Sequence, residues 1–297
     1  MEMKYSFWIL ELLSLCLLLD SSDAEPIKSR TTHSVRQEHP FVTLIVEKNS
    51  EDITSAKRLC TGSLISRNQI LMVNSCLHDK SLTNLLAIVE NTHLLIMNLN
   101  MFKLSSRITY KDYEEELKRE GASPLTPEID DICILELDVS DTNIIPAAIS
   151  FEQDAPTMGS YVKFIGWGPT TNREFPKTAR YAIVQVLQKQ YCDEFAKIFL
   201  PRYRKLLWSN KIFCARRFTH PVHPVDGDFG GPILYKESKL IGIVIRPRPF
   251  PEKVGEKRDE PVVAKNDNLF WFKSLQSQTG FNQCMGRKSE NETLLSI

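Results

Sequence analysis

The chain reads as an all-β protein, a barrel or sandwich, and three observations carry that reading. Apolar or alternating runs of three to six residues recur along it. Turn-forming residues separate them at short intervals. The composition is that of an ordinary globular protein, with 42% hydrophobic and 25% charged residues in 297, which excludes a disordered or collagen-like chain. That length gives ample chain to bury a core. Lys+Arg and Asp+Glu both total 37, so the global field of a nucleic-acid binder is missing.

Taken in order, the predicted strands are Phe41–Val46, Ser63–Ile65, Gln69–Val73, Leu85–Val89, Leu94–Met97, Ile132–Leu137, Tyr161–Ile165, Ala182–Leu187 and Leu240–Ile245. Two stretches read as helices. Lys111–Glu120 is charged with little apolar face and fits a surface insertion, whereas Leu269–Gln278 has an apolar stripe suited to docking on the body. Residues 138–158 are polar and proline-bearing and divide the strand-rich chain into halves. No repeat at a fixed period is present.

Residues 1–24 read as a signal peptide: Lys4, an apolar run Leu12–Leu19, then small residues Ser22 and Ala24 before Glu25. The run is too short to span a bilayer, and no later stretch is long enough either. Removing it takes one base and four acids, leaving 36 basic and 33 acidic residues. A secreted chain makes Cys60, Cys76, Cys133, Cys192, Cys214 and Cys284 candidates for disulfides. Residues 25–59 hold no cysteine, so no disulfide-knotted module is expected there. Asn291 begins a glycosylation sequon in a polar tail.

The order of motifs is specific. His39–Leu44 (HPFVTL) precedes Cys60–Ser66 (CTGSLIS) and Gln69–Cys76 (QILMVNSC). Asp130–Leu137 (DDICILEL), Gly166–Gly168 (GWG), Gly227–Pro232 (GDFGGP) and the segment around Trp271 follow. This series resembles the trypsin/chymotrypsin-like serine protease family. The resemblance implies two six-stranded antiparallel β-barrels, about 39–140 and 155–265, within a peptidase domain over 39–280 and with a C-terminal helix. Residues 25–38 form a short N-terminal segment and 281–297 a polar tail.

Matched position by position, the catalytic set is degenerate. Acyl transfer of this kind needs a hydroxyl nucleophile, a histidine base and an orienting carboxylate. Ser75 stands where the histidine is expected and Phe229 where the nucleophile is expected; Asp131 keeps the carboxylate. A benzyl group has neither a proton to lose nor a lone pair, and a serine hydroxyl is no base near neutral pH. His78, two residues beyond Cys76, is badly placed to substitute.

The cleft is rewritten as well. The remnants of the substrate pocket are His223 at its base, Gly227 and Arg246, and Val225 stands where the pocket's cysteine is expected. Pro247 cannot donate the backbone hydrogen bond that a peptide substrate meets there. No Ile-Val-Gly-Gly-like segment precedes His39, so Asp228 lacks the amino group that cleavage would supply. Either another donor satisfies Asp228 or it is exposed, because a buried lone carboxylate is costly. The resemblance implies the bridges Cys60–Cys76 and Cys192–Cys214. For Cys133 a buried thiol is the simplest reading, and Cys284 is left to pair with it, to pair between chains or to stay free.

From Phe195 to Val225 there is no acid, yet Lys197, Arg202, Arg204, Lys205, Lys211, Arg216 and Arg217 fall there. The choice is between a solvated face and a docking patch for an acidic protein or a sulfated glycan. No metal-ligand spacing or cofactor fingerprint is found, so neither metal nor cofactor is expected. Together these residues describe a secreted, non-catalytic serine protease homologue that acts by protein binding. Adaptor, decoy or regulator of extracellular proteolysis are the roles implied, with an active protease or its substrate as partner. The absence of a knotted N-terminal module favours a reproductive, seminal-fluid setting. The alternatives are an immune-type protease cofactor, a hydrolase with an unfamiliar centre, or a structural secretory protein.

Overall fold

The computed structural model describes residues 39–48, 56–77, 80–89, 100–109, 112, 115, 119, 131–140, 142–149, 156–169, 176, 178–199, 212–216, 224–236, 239–245 and 269–274. Within them, twelve strands form two closed six-stranded antiparallel barrels. The first contains β1 (Val42–Glu47), β2 (Lys57–Leu64), β3 (Gln69–Val73), β4 (Leu85–Val89), β5 (Asn100–Thr109) and β6 (Ile132–Leu137). Its order is β1-β2-β3-β6-β5-β4, closed by pairing of β1 with β4. The second contains β7 (Tyr161–Gly166), β8 (Arg180–Val186), β9 (Ile212–Arg216), β10 (Pro232–Tyr235), β11 (Lys239–Val244) and β12 (Leu269–Ser274). Its order is β7-β8-β9-β12-β11-β10, closed by β10 against β7.

The strands that read most clearly as apolar runs are the most buried. All five residues of β3 are buried, and five of six in β6, as continuous apolar runs require when both faces are covered. By contrast, β5 (NMFKLSSRIT) has one buried residue in ten and no apolar run to announce it. The short β9 and β10 were likewise hidden, the latter opening on Pro232, a position that needs no ladder N–H. The predicted strand Leu94–Met97 lies outside the described residues.

One expectation is corrected. Leu269–Ser274 is not the start of a terminal helix but the strand β12, which pairs with β9 and β11 and closes the second barrel. Four consecutive apolar residues, three of them aromatic, satisfy a helical stripe and a buried strand equally. Aromatic β preference and the open barrel edge decide between them. The helix α1 (Lys189–Phe199) was not anticipated. It buries Cys192 and Ala196, one turn apart on one face, and the Cys192–Cys214 bridge pins it to β9. In the predicted helical insertion, positions 112, 115 and 119 are helical and exposed.

The barrels are joined by named bonds. In the connecting stretch Ala147 N–H donates to the Leu64 carbonyl, and Leu240 N–H donates to the Ala148 carbonyl. Arg58 of β2 donates to the Pro176 carbonyl across the junction, where burial lowers its pKa to about 10, still fully charged near neutrality. Buried His39 meets Lys163 of β7, with Nε2 at 3.2 Å from Nζ.

Candidate functional site

The candidate site lies at the end of β3, at the start of β6 and on the turn before β10. The β3–β6 ladder pairs Val73 with Ile132, so the residues just beyond, Asn74 and Ser75, face Asp131. A turn of 3-10 helix, Asn74–Leu77, brings Ser75 round. Ser75 N–H donates to Asp131 Oδ1 at 2.7 Å and Ser75 Oγ donates to Oδ2 at 2.9 Å. Asn74 N–H donates to the Asp131 carbonyl at 3.0 Å. Both oxygens of the carboxylate are therefore engaged by Ser75, the residue standing in the position of the expected base. The Cys60–Cys76 disulfide, with Cα atoms 6.1 Å apart, fixes the next residue to β2.

The turn Gly227–Gly231 faces it from the second barrel. Gly227 and Gly230 have φ of +101° and +84°, values that glycine alone adopts without strain. A Cβ on Gly230 would come within 2.3 Å of the Thr61 carbonyl, so the turn also sits too close to β2 for any side chain there. Asp228 N–H donates to the Val225 carbonyl and Gly231 N–H to the Asp228 carbonyl, while Gly230 and Gly231 exchange bonds with Val244. The Phe229 carbonyl accepts from Thr61 N–H at 3.1 Å and lies 3.8 Å from Cys76 Sγ. Phe229 is thus brought beside the Ser75–Cys76 segment, and at 8% exposure it is part of the core.

Thr61 is a residue that motif reading missed. Its buried Oγ1 donates to the Gly227 carbonyl at 2.7 Å and accepts from Trp167 N–H at 3.1 Å. One hydroxyl of the first barrel therefore holds two backbone segments of the second. A Thr after Cys60 carries no sequence signal for this, because its partners are 106 and 166 residues away.

Asp228 is buried and satisfied, so the first of the two expected fates applies. Its Oδ1 accepts from Gly168 N–H at 2.6 Å and its Oδ2 from Val225 N–H at 3.1 Å. Burial pushes its carboxyl up to about 7, against the pull of those two bonds and of Arg180.

Of the other predicted positions, His223, Arg246 and Asn291 lie outside the described residues, as do Arg202, Arg204, Lys205, Lys211 and Arg217. Arg216 is described: it lies over the Tyr191 ring, 5.4 Å from the centroid, and donates to the Tyr191 hydroxyl at 2.9 Å. Lys197 forms ion pairs with Asp193 and Glu194, so acids just ahead of the basic run offset its first cation. Cys133 is a fully buried free thiol, its pKa pushed up to about 12 by burial. Among the described residues no group of His, Cys, Asp and Glu could hold a metal ion. No helix among them is long and apolar enough to cross a membrane.

Two closed barrels meeting at a Cys60–Cys76 segment and a Gly-Asp-X-Gly-Gly turn define a chymotrypsin-like double barrel. Residues 30–255 match the Trypsin family, and the chain belongs to it. It is similar to the snake venom serine protease serpentokallikrein-1 of Protobothrops mucrosquamatus, 26% identical over 80% of this chain and 83% of that protein. It is also similar to Vaa serine proteinase homolog 1 of Vipera ammodytes ammodytes, 23% identical over 70% of this chain and 72% of that one. Among solved structures, the scabies mite inactivated protease paralogue S-I1 superimposes with a TM-score of 0.58 at 20% identity, covering 89% of this chain and 99% of that one.

Proposed function

We propose that this protein is a secreted, non-catalytic member of the trypsin family that works by binding another extracellular protein. The observation that carries the reading is the Ser75–Asp131 pair: the hydroxyl and N–H of Ser75 donate to the two carboxylate oxygens. Position 75 itself carries a hydroxyl and not an imidazole, and the facing turn carries the phenyl of Phe229 at the position matched to the nucleophile. The fold around these positions is intact, with the glycine turn, the Cys60–Cys76 bridge and both barrels in place. A scaffold kept in order around lost chemistry supports a role in recognition. Relatives named as a proteinase homolog and as an inactivated protease paralogue support the same reading.

The partner we favour is an active protease or its substrate, engaged as an adaptor, decoy or regulator. The basic run Arg202, Arg204, Lys205, Lys211, Arg216 and Arg217 would serve as contact to an acidic protein or a sulfated glycan. A reproductive, seminal-fluid setting fits residues 25–59, which hold no cysteine. The purified chain is expected to bind a heparin column at physiological salt and to elute early after charge reversal at Arg202, Arg204 and Lys205. It is also expected to change, saturably, the rate at which an active trypsin-family protease cuts a protein substrate. Absence of both effects would remove the binding reading.

A further inference from the structure

Asp228 has backbone on two sides of its carboxylate and one cation in register beside it. The carboxylate rests on Gly166 and Gly168: a Cβ on Gly166 would stand 2.2 Å from Oδ1, and one on Gly168 2.4 Å from Oδ2. In the β7–β8 ladder the residue opposite Gly166 is Arg180. Residues directly opposite each other across an antiparallel pair stand about 5 Å apart, within easy reach of a guanidinium. The half-buried Arg180 and the buried Asp228 each favour the other's charged form. Asp226, two residues before Asp228, is exposed, and the charge of Arg180 acts on the Asp228 carboxylate.

We propose that Arg180 is the internal counter-cation of Asp228, and that this pair keeps the Gly227–Gly231 turn ordered without a newly cut chain terminus. The family's route to an ordered turn brings a freed amino group to this aspartate. Here the cation is carried on β8, so the turn is set when the second barrel closes. Processing at a site before His39 then has no part in ordering it. The inference stands apart from the binding function, because it concerns how the turn is held and not what the cleft recognises.

The pair has a pH signature. The folded-state carboxyl, at about 7, lies above its ordinary value of 3.8. The folded chain therefore holds this proton more tightly than the unfolded chain across that window. Stability from this group is greatest at the acid end, falls as pH rises toward 7, and is flat above it. Loss of the Arg180 charge penalises only the ionised carboxylate, so its effect belongs to the alkaline side.

The test is thermal unfolding of the whole mature chain at pH 5 and pH 8.5 for wild type, Arg180→Gln, Arg180→Lys, Asp228→Asn and the Arg180→Gln/Asp228→Asn pair. At pH 8.5 Arg180→Gln is expected to lower Tm by about 2–4 °C or more, with little change at pH 5. Arg180→Lys should keep most of the wild-type Tm, and Arg180→Gln should have no further effect once Asp228 is Asn. Acetylating the chain's N-terminal amine should leave Tm unchanged. Amide exchange at residues 225–231 should quicken in Arg180→Gln at pH 8.5 alone. An equal Tm loss at both pH values, or the same loss in the Asp228→Asn background, would show ordinary packing by Arg180 and overturn the pairing. Failure of Arg180→Gln to fold at either pH counts the same way, and a Tm loss on acetylation would return the role to the chain terminus.

Discussion

At residue 75 a hydroxyl does half of what an imidazole would do. It donates to Asp131, and the backbone N–H beside it donates as well, so each carboxylate oxygen accepts one bond from Ser75. Ser75→Ala deletes one charge-assisted bond and leaves the N–H contact in place. It should destabilise the chain by about 1–2 kcal/mol in urea unfolding; no loss would mean that the hydroxyl bond is not formed in solution. That Ser75 and Phe229 stand at the positions matched to the family's histidine and nucleophile was legible in the sequence, since each falls inside a short fixed motif. The bond between Ser75 and Asp131 was not, because nothing in Val73–Cys76 says which way a serine hydroxyl turns. The burial of Phe229 was equally unreadable, since an aromatic at a cleft position can fill the site or line it.

At the scale of elements, the strongest dependence is on β2. Thr61 satisfies the Gly227 carbonyl and the Trp167 N–H with one buried hydroxyl. Thr61→Val keeps the shape and orphans both groups, which should cost about 2–4 kcal/mol. That exceeds the expected loss for Ser75→Ala, and parallel denaturation of the two variants checks the order. On β6, Cys133 is wholly inside the first barrel with its thiol held up to about 12. It should resist alkylation at pH 8 in the native chain and react once denaturant is added; rapid native labelling of Cys133 would contradict its burial. Strands with long apolar runs, such as β3 and β6, were legible with their boundaries. Those without them, β5 and β10, were not, and β12 was read with the wrong period because its apolar residues are consecutive. Arg180 was missed for a further reason: its meaning depends on the register of β7 against β8, and register is set by tertiary closure.

At the scale of the molecule, two barrels are fastened through a small set of long-range bonds around Thr61, Asp228 and the Gly227–Gly231 turn. Thr61, Asp228 and the glycine turn form one structural unit. The family and the paired barrels were readable from motif order. The junction was not, because every bond in it joins segments more than 50 residues apart or lies within a turn whose shape depends on those bonds. The central claim is that this architecture binds and does not cleave. The measurement that tests it most directly is turnover by the purified chain on a broad peptide and ester library, with a serine-reactive phosphonate probe alongside. We expect no cleavage and no labelling, either in the wild type or in Phe229→Ser, where a hydroxyl is restored without a base. Turnover that co-purifies with the chain and persists in Ser75→Ala would contradict the account and reveal a catalytic centre elsewhere in the molecule.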